Sequence, residues 1–213
     1  MEINIDILKI KDSAWHFTAP EYTSEKRFYH NKNHIDNMLA ELDKLNLSEN
    51  DYLVISLAII FHDAVYDTTI EDKLNVEASA RLFYFWFWLE ENRFLFEKVK
   101  NITIQEVFET VYNLILSTIN HEPTYFFKKS YFSEKLCNIF LDLDLMILAD
   151  QKNYDDYVKN IRKEYSQFSD EEFNNGRLRF IDNMLGKVMI FREFNQLNEV
   201  SRQNLINEKL NYK

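Results

Sequence analysis

The chain has 213 residues, of which 46% are hydrophobic, so one domain can bury a large core. Its formal net charge of −10, from 35 acidic and 25 basic residues, argues against long nucleic acid as a partner but leaves room for a small phosphorylated molecule. Only two glycines and two prolines are present, which argues against glycine-rich phosphate loops and sheets with tight hairpins. The composition therefore predicts an all-α protein.

Cysteine content and the apolar segments predict where the chain resides. Cys137 is the only cysteine, which excludes an intramolecular disulfide and a cysteine-rich zinc cluster and favours a reducing compartment. The first residues lack the basic stretch and the apolar run of a signal peptide. The most apolar segment, residues 82–89, is far shorter than the ~20 residues needed to cross a bilayer. We therefore expect a cytoplasmic protein with no membrane partner.

Apolar periodicity predicts a first helix over residues 6–17, followed by a loop around Pro20. A second helix is expected to begin near Asn31 or Asn33, because either side chain could cap its first turn. Apolar residues at helical spacing continue through this second helix to Leu45.

A third helix is predicted after residues 48–51, whose sequence Ser-Glu-Asn-Asp is typical of a cap and an acidic first turn. This helix has an apolar run from Leu53 to Phe61 and leads directly into His62 and Asp63. Because the run is apolar nearly all round, we expect it at the centre of the fold.

The rest of the chain continues the helical pattern after a polar loop at residues 67–73. Further helices are predicted over residues 75–96, 105–120, 133–149, 154–168 and 170–195, with a last one from about residue 200. No repeat or linker divides them, so residues 1–213 are expected to form a single domain. The six consecutive aromatics of residues 83–88 would cover every side of a helix, which predicts core packing and a homodimer interface.

Four side chains in separate segments carry metal-binding chemistry: His34, His62, Asp63 and Asp144. They supply imidazole nitrogen and carboxylate oxygen but no sulfur. This mixture suits a divalent ion that keeps bound water better than a closed structural zinc site.

The ordered motifs around these side chains resemble the HD-domain superfamily of metal-dependent phosphohydrolases, in particular its bacterial subgroup of predicted HD phosphohydrolases. The similarity covers roughly residues 25–190. It comprises RFYHN at 27–31 before His34, FHDAVY at 61–66, residues 75–80, DLDL at 142–145 and IRKEY at 161–165. The resemblance implies an HD-type helical bundle with a metal site between central helices. The implied activity is hydrolysis of a small phosphomonoester or nucleotide by a metal-activated water.

The resemblance also implies that His34, His62, Asp63 and Asp144 bind one divalent metal ion, which could be Mn, Fe, Ni, Co, Mg or Zn. Asp142 is the rival for the last ligand position. The two aspartates lie about 200° apart around a helix, since successive residues step by ~100°. Asp144 is preferred because Leu-Met-Ile-Leu at 145–148 follows it, as in the family pattern.

Candidates for the acid–base chemistry surround this ligand set. His121 is expected to bind phosphate, donate a proton to the leaving group or join a second metal. Asp67 and Glu77 are candidates to orient the attacking water. The sequence departs from the subgroup at Val76-Glu77, where two consecutive acidic residues are expected, and this puts any role that needs both carboxylates in doubt.

Candidates for substrate contact are mostly basic. Phosphate contacts are expected from Arg27, Arg162 and Arg177, and Tyr29 and His30 are expected to line the entrance to the site. The alternative for each arginine is a structural ion pair between helices.

Two other functions compete with hydrolysis. The first is a non-catalytic sensor that keeps the metal pocket and binds a nucleotide or phosphate. The second is a di-iron oxygenase on the same scaffold, which needs more histidines than His34, His62 and His121 readily provide.

Overall fold

The computed structural model describes residues 4–123 and 131–212, and the fold in these ranges is all-α, which confirms the predicted class. No β-strand occurs within them. The helices are α1 (Ile5–Thr18), α2 (Lys32–Leu42), α3 (Glu49–Phe61), α4 (Asp72–Trp88), α5 (Glu90–Phe96), α6 (Ile104–Ser117), α7 (Glu134–Asp144), α8 (Tyr154–Glu164), α9 (Asp170–Gly186) and α10 (Asn198–Leu210). Short 3-10 helices occupy Glu21–Thr23, Leu145–Ala149 and Asn195–Leu197.

Polar caps determine where several helices begin. The Asn31 side chain accepts a hydrogen bond from the Asn33 backbone N–H, so α2 starts at the first of the two expected positions. Ser48 accepts from the Asp51 backbone N–H and starts α3 where the sequence predicted it. The caps satisfy N–H groups that have no partner within the helix, and they therefore fix the helix starts.

The prediction of one long helix over 75–96 is wrong at its start and in its interior, although its end at Phe96 is observed. The helix starts at Asp72, inside the expected loop, and the chain becomes extended at Leu89, which separates α4 from α5. At the break the Trp86 carbonyl accepts from the Leu89 backbone N–H at 3.3 Å, and the buried Asn92 side chain donates a second, shorter hydrogen bond to it at 2.7 Å.

The prediction of a helix over 170–195 is also wrong, because α9 ends at Gly186. The buried carboxylate of Asp142 accepts hydrogen bonds from the backbone N–H groups of Arg192, Glu193 and Phe194 at 2.8–3.0 Å. These donors would serve helical hydrogen bonds in a continuous helix, so their engagement with Asp142 keeps this segment irregular. Four further predicted helices are shorter than expected. The first three, α2, α6 and α8, end at Leu42, Ser117 and Glu164, and α7 passes into a 3-10 helix after Asp144.

The helices enclose two groups of buried apolar side chains. The first core surrounds α3, in which every residue from Tyr52 to Phe61 is buried, and α3 packs against α1, α2, α4, α6 and α7. The second core is formed by α8, α9, α10 and the 3-10 helix Leu145–Ala149. The central position expected for the third helix is therefore observed.

The aromatic run of residues 83–88 is divided between the core and the surface. Phe83, Trp86 and Phe87 are buried in the first core, whereas Tyr84 and Phe85 are 47% and 66% exposed. Across the described ranges, no helix combines the length and the apolar character needed to cross a bilayer.

Replacement of Asp142 by alanine would leave three backbone N–H groups without their acceptor. We expect Asp142→Ala to lower the free energy of unfolding by about 2–3 kcal/mol, because buried unsatisfied donors are costly. Urea unfolding measures this difference. Asp156→Ala is the matched control, since that carboxylate is 73% exposed and pairs with Lys159 at the surface. Equal stability of the two variants would contradict the role given to Asp142.

Candidate metal centre

Two imidazoles and two carboxylates from α2, α3 and α7 converge at one point. The Nε2 atoms of His34 and His62 are 3.4 Å apart. The Asp63 Oδ2 atom lies 3.1 Å from His62 Nε2 and 3.8 Å from His34 Nε2. The Asp144 Oδ1 atom lies 3.3 Å from His34 Nε2 and 3.4 Å from His62 Nε2. The structure thus brings together all four residues expected as ligands.

The backbone around α3 fixes the orientation of His62. Its Nδ1 is 2.9 Å from the Ile59 carbonyl oxygen, which can only accept, so Nδ1 carries the proton and the Nε2 lone pair faces the cluster. Arg27 donates to the carbonyls of Asp63 at 2.7 Å and Ala64 at 2.8 Å. Arg27 therefore holds the loop that carries Asp63 and does not line the cavity described below.

Asp144 and Asp142 point in different directions from α7, as their helical spacing requires. Asp142 serves the backbone of residues 192–194, whereas Asp144 meets the imidazoles. Burial alone would raise the pKa of Asp144, but contacts with His121, His34 and His62 hold that pKa well below its usual range. Asp144 is therefore an ionised carboxylate at the centre of the cluster.

Asp63 and His62 shift each other's pKa in the same way as Asp144 and its imidazoles. Burial alone would raise the pKa of Asp63, but the His62 imidazole holds that pKa below its usual range. In return, the carboxylates of Asp63 and Asp144 raise the pKa of His62 well above its usual range despite its burial. Positive charge on the His62 imidazole thus compensates the buried carboxylates, and a divalent cation that takes the place of the proton on Nε2 would do the same.

The donor set fits a divalent metal ion in both chemistry and spacing. His34, His62 and Asp63 offer ligand atoms that all lie within 4.8 Å of one another. Two ligand atoms held about 2.1 Å from a common ion, at an angle of about 90–110°, are about 3.0–3.4 Å apart. The observed separations of 3.1–3.8 Å are close to this range.

His121 approaches the cluster from the segment after α6. Its Nε2 lies 3.3 Å from Asp144 Oδ2. Its backbone has φ 50°, in the left-handed region that side chains other than glycine rarely adopt. Strain of this kind persists only where the surroundings impose it, and it is frequent at functional sites. Lys187 and Arg192 both pair with the adjacent Glu122 and so stabilise this segment.

A cavity of about 490 Å³ opens beside the cluster, between the first and second cores. Asp63 and Asp144 contribute to its wall. The cavity is also lined by four of the residues expected to touch substrate or take part in catalysis, namely Tyr29, His30, His121 and Arg177.

Asp67 and Glu77, the residues expected to orient water, do not line this cavity. The exposed Asp67 carboxylate accepts from the backbone N–H and the hydroxyl of Thr69 at 2.8 and 2.6 Å. Glu77 lies 3.7 Å from Lys73 and 3.6 Å from Arg81 on the outer face of α4. Neither carboxylate reaches the cluster of His34, His62, Asp63 and Asp144 in this structure.

Two of the expected phosphate-binding arginines have structural partners. Arg162 donates to the carbonyls of Tyr165 and Phe168 just beyond α8 and pairs with Asp170, and it lies outside the cavity wall. Arg177 lines the cavity, but its buried guanidinium is paired with Glu208 at 2.7 Å.

The cavity wall also contains charged residues that sequence reasoning missed. Asp72 was interpreted as part of a loop, yet it is the first residue of α4 and faces the cavity, where desolvation and the nearby Asp63 raise its pKa. Arg179 lines the cavity two residues after Arg177. The helical spacing of Phe173, Arg177, Phe180 and Met184 was a usable signal that one face of α9 forms a wall.

A buried glutamate positions His30 at the cavity. Glu164 accepts from the backbone N–H groups of Tyr29 and His30 at 2.7 and 2.9 Å and from His30 Nδ1 at 2.7 Å. The His30 ring also stacks on Tyr66 with a centroid separation of 4.1 Å. Burial would lower the pKa of His30, but Glu164 raises it above its usual value, and His30 in turn lowers the pKa of Glu164.

Comparison with known proteins adds no relative. No family model, curated protein or solved structure matches the chain. The functional interpretation therefore depends on the side chains described above.

The His30–Glu164 pair predicts a window in the pH dependence of stability. The folded-state pKa of Glu164 lies below its ordinary value of 4.5, so its contribution is complete above pH 4.5 and is lost as pH falls through the folded value. The folded-state pKa of His30 lies above its ordinary value of 6.5, so its contribution is complete below pH 6.5 and is lost as pH rises through the folded value.

Glu164→Gln should therefore lower the free energy of unfolding most between pH 4.5 and 6.5, by about 2 kcal/mol. Urea unfolding from pH 3.5 to 9 measures the difference from the unmodified protein. Glu171→Gln, which changes an exposed carboxylate in the first turn of α9, should show no such maximum. A difference for Glu164→Gln that does not vary with pH would refute the ion pair.

Proposed function

We propose that the chain is an HD-type, metal-dependent phosphohydrolase that acts on a small phosphomonoester or nucleotide. The observation that carries this proposal is the convergence of His34, His62, Asp63 and Asp144 at the wall of a cavity of about 490 Å³. A cavity of this volume can enclose a small molecule. The motif resemblance in the sequence points to the same chemistry.

In this proposal the four donors hold one divalent ion of Mn, Fe, Ni, Co, Mg or Zn. Such an ion polarises a phosphoryl oxygen and lowers the pKa of a bound water. The Ile59 carbonyl keeps the Nε2 lone pair of His62 available, because it binds the proton on Nδ1. The pairing of Asp144 with three imidazoles fixes its orientation in the absence of substrate.

Residues around the donors would handle protons and phosphate charge. His121, held against Asp144, would donate a proton to the oxygen of the leaving group. His30, fixed by Glu164 through Nδ1, would donate a hydrogen bond to a phosphoryl oxygen through Nε2. Asp72 replaces Asp67 and Glu77 as the candidate to accept a proton from the attacking water, because it alone of the three lines the cavity.

A metal-dependent sensor that binds a phosphate or nucleotide without hydrolysis is the second candidate. It is favoured by the placement of Asp67 and Glu77, since both expected water-orienting residues lie outside the cavity. A di-iron oxygenase has less support, because only His34, His62 and His121 contact the ligand carboxylates within the described ranges.

Replacement of His62 by alanine tests the proposal. We expect His62→Ala to lose bound metal and at least ~10³-fold of the phosphatase activity, because the metal would supply the main catalytic effect. Elemental analysis after loading with Mn, together with a panel of phosphomonoesters and nucleotides, measures both losses.

The matched control is His16→Ala on α1, where Nδ1 of the exposed imidazole lies 2.7 Å from the Asp12 carbonyl oxygen. This variant should retain metal and activity. A metal-free His62→Ala protein with undiminished hydrolysis would overturn the proposal. Stoichiometric metal and nucleotide binding by the unmodified protein, with no turnover across the panel, would instead establish the sensor.

A further inference from the structure

The cavity beside the metal-binding cluster has an apolar wall that the proposed reaction does not use. Its side chains belong to the second core, and the wall consists of Leu148, Ile161, Phe173, Phe180 and Met184. Four of the five are buried, with exposed fractions of 1–7%, yet they face the cavity. Apolar side chains that line a cavity favour an apolar group of a ligand, because that group leaves water when it binds.

Gly176 is the most informative residue in this part of the cavity. It lies within α9 at a position where glycine destabilises a helix relative to almost any other residue. Its backbone does not have a positive φ, so conformation does not require glycine. An added Cβ would meet only the end of the Arg179 side chain, at an ordinary contact distance of 4.0 Å, so packing does not require it either.

Gly176 nevertheless lines the cavity. The remaining physical effect of its missing side chain is open space within the cavity that the apolar wall also lines. Any larger residue at this position would project into that space. The glycine therefore keeps open a volume that the protein itself does not fill.

The positive charge in the cavity is too limited for a polyphosphate. The Arg177 guanidinium is paired with both oxygens of Glu208, at 2.7 and 3.1 Å, so its charge is already compensated. It also lies over the rings of Tyr157 and Phe180, at 4.9 and 4.6 Å, which restrict its movement. Within the described part of the chain, the other guanidinium in the wall is that of the exposed Arg179.

Among the described residues of the cavity wall, carboxylates outnumber these guanidiniums, and the carboxylates are those of Asp63, Asp72, Asp144 and Glu172. The His30 imidazole in the same wall already pairs with Glu164. A divalent ion would compensate two negative charges, which leaves little attraction for a chain of phosphates. The charge distribution therefore favours a ligand with one phosphate over a triphosphate.

We infer that the apolar wall and the space beside Gly176 form a binding pocket for a ring-sized apolar group, so that the preferred substrate is a phosphomonoester of an apolar, ring-containing alcohol. This inference rests on the proposed function for the phosphate end of the ligand. The apolar end can be tested separately, because it concerns other residues.

The first test compares three substrates in the metal-loaded protein: 2-naphthyl phosphate, glycerol 3-phosphate and ATP. We expect kcat/KM for 2-naphthyl phosphate to exceed each of the other two by about tenfold or more, since the apolar pocket contributes only to the aromatic ester. Naphtholate is also a better leaving group than the alkoxide of glycerol, so the change in this ratio measures the pocket. In Gly176→Leu, whose side chain fills the space, the ratio for 2-naphthyl phosphate over glycerol 3-phosphate should fall about tenfold. Asn175→Leu is the matched control, because Asn175 is exposed on the same helix and lies outside the cavity wall.

The second test measures binding of 2-naphthol, which has no phosphate, to the metal-free protein by calorimetry. Binding should weaken about tenfold in Gly176→Leu and stay unchanged in Asn175→Leu. Thermal unfolding verifies that Gly176→Leu remains folded, and Gly176→Ala provides a smaller change that favours the helix.

The two tests separate the inference from the proposed function. Naphthol binding that depends on position 176, with no ester hydrolysed, would support the pocket and defeat the hydrolase proposal. Hydrolysis of all three esters with similar kcat/KM, together with naphthol binding that is absent or unaffected by Gly176→Leu, would leave the hydrolase intact and overturn the pocket.

Discussion

The enclosure of two carboxylates among imidazoles is the constraint on which the rest of the structure depends. The side chains of Asp63 and Asp144 are only 17% and 13% exposed, and charge removed from water must be compensated nearby. The imidazoles that compensate them lie on α2, at the end of α3 and in the segment after α6, so these elements must meet at one place. The apolar character of α3 makes this meeting point central, because that helix can be buried on every side.

Two other buried acidic residues hold the two cores together around this point. Glu164, at the end of α8, accepts backbone donors at Tyr29 and His30 just before α2. Asp142, in α7, accepts backbone donors from residues 192–194 just before α10. Each carboxylate satisfies polar groups in a segment that is not helical, and each connects an element of one core to the approach to the other. The cavity lies between these connections, so its shape depends on both.

Local interactions explain what the sequence predicted correctly. Caps such as Asn31 and Ser48 act within one helical turn, so the starts of α2 and α3 could be predicted without knowledge of the fold. The break at Leu89 has no glycine or proline to mark it, and the bond from Asn92 that accompanies it forms only in the packed structure. The cluster could be anticipated from ordered motifs. The partners of Arg27 could not, since a guanidinium that holds backbone carbonyls has the same sequence signature as one that would bind phosphate.

The buried pair of Arg177 with Glu208 has a consequence for the order in which the molecule is assembled. His34, His62, Asp63 and Asp144 all precede residue 145, whereas Glu208 lies near the end of α10. The donor set is therefore complete on the growing polypeptide before the group that neutralises Arg177 has been synthesised. In the order of synthesis, the residues of the His–Asp cluster are therefore available to one another before Arg177 acquires its buried partner.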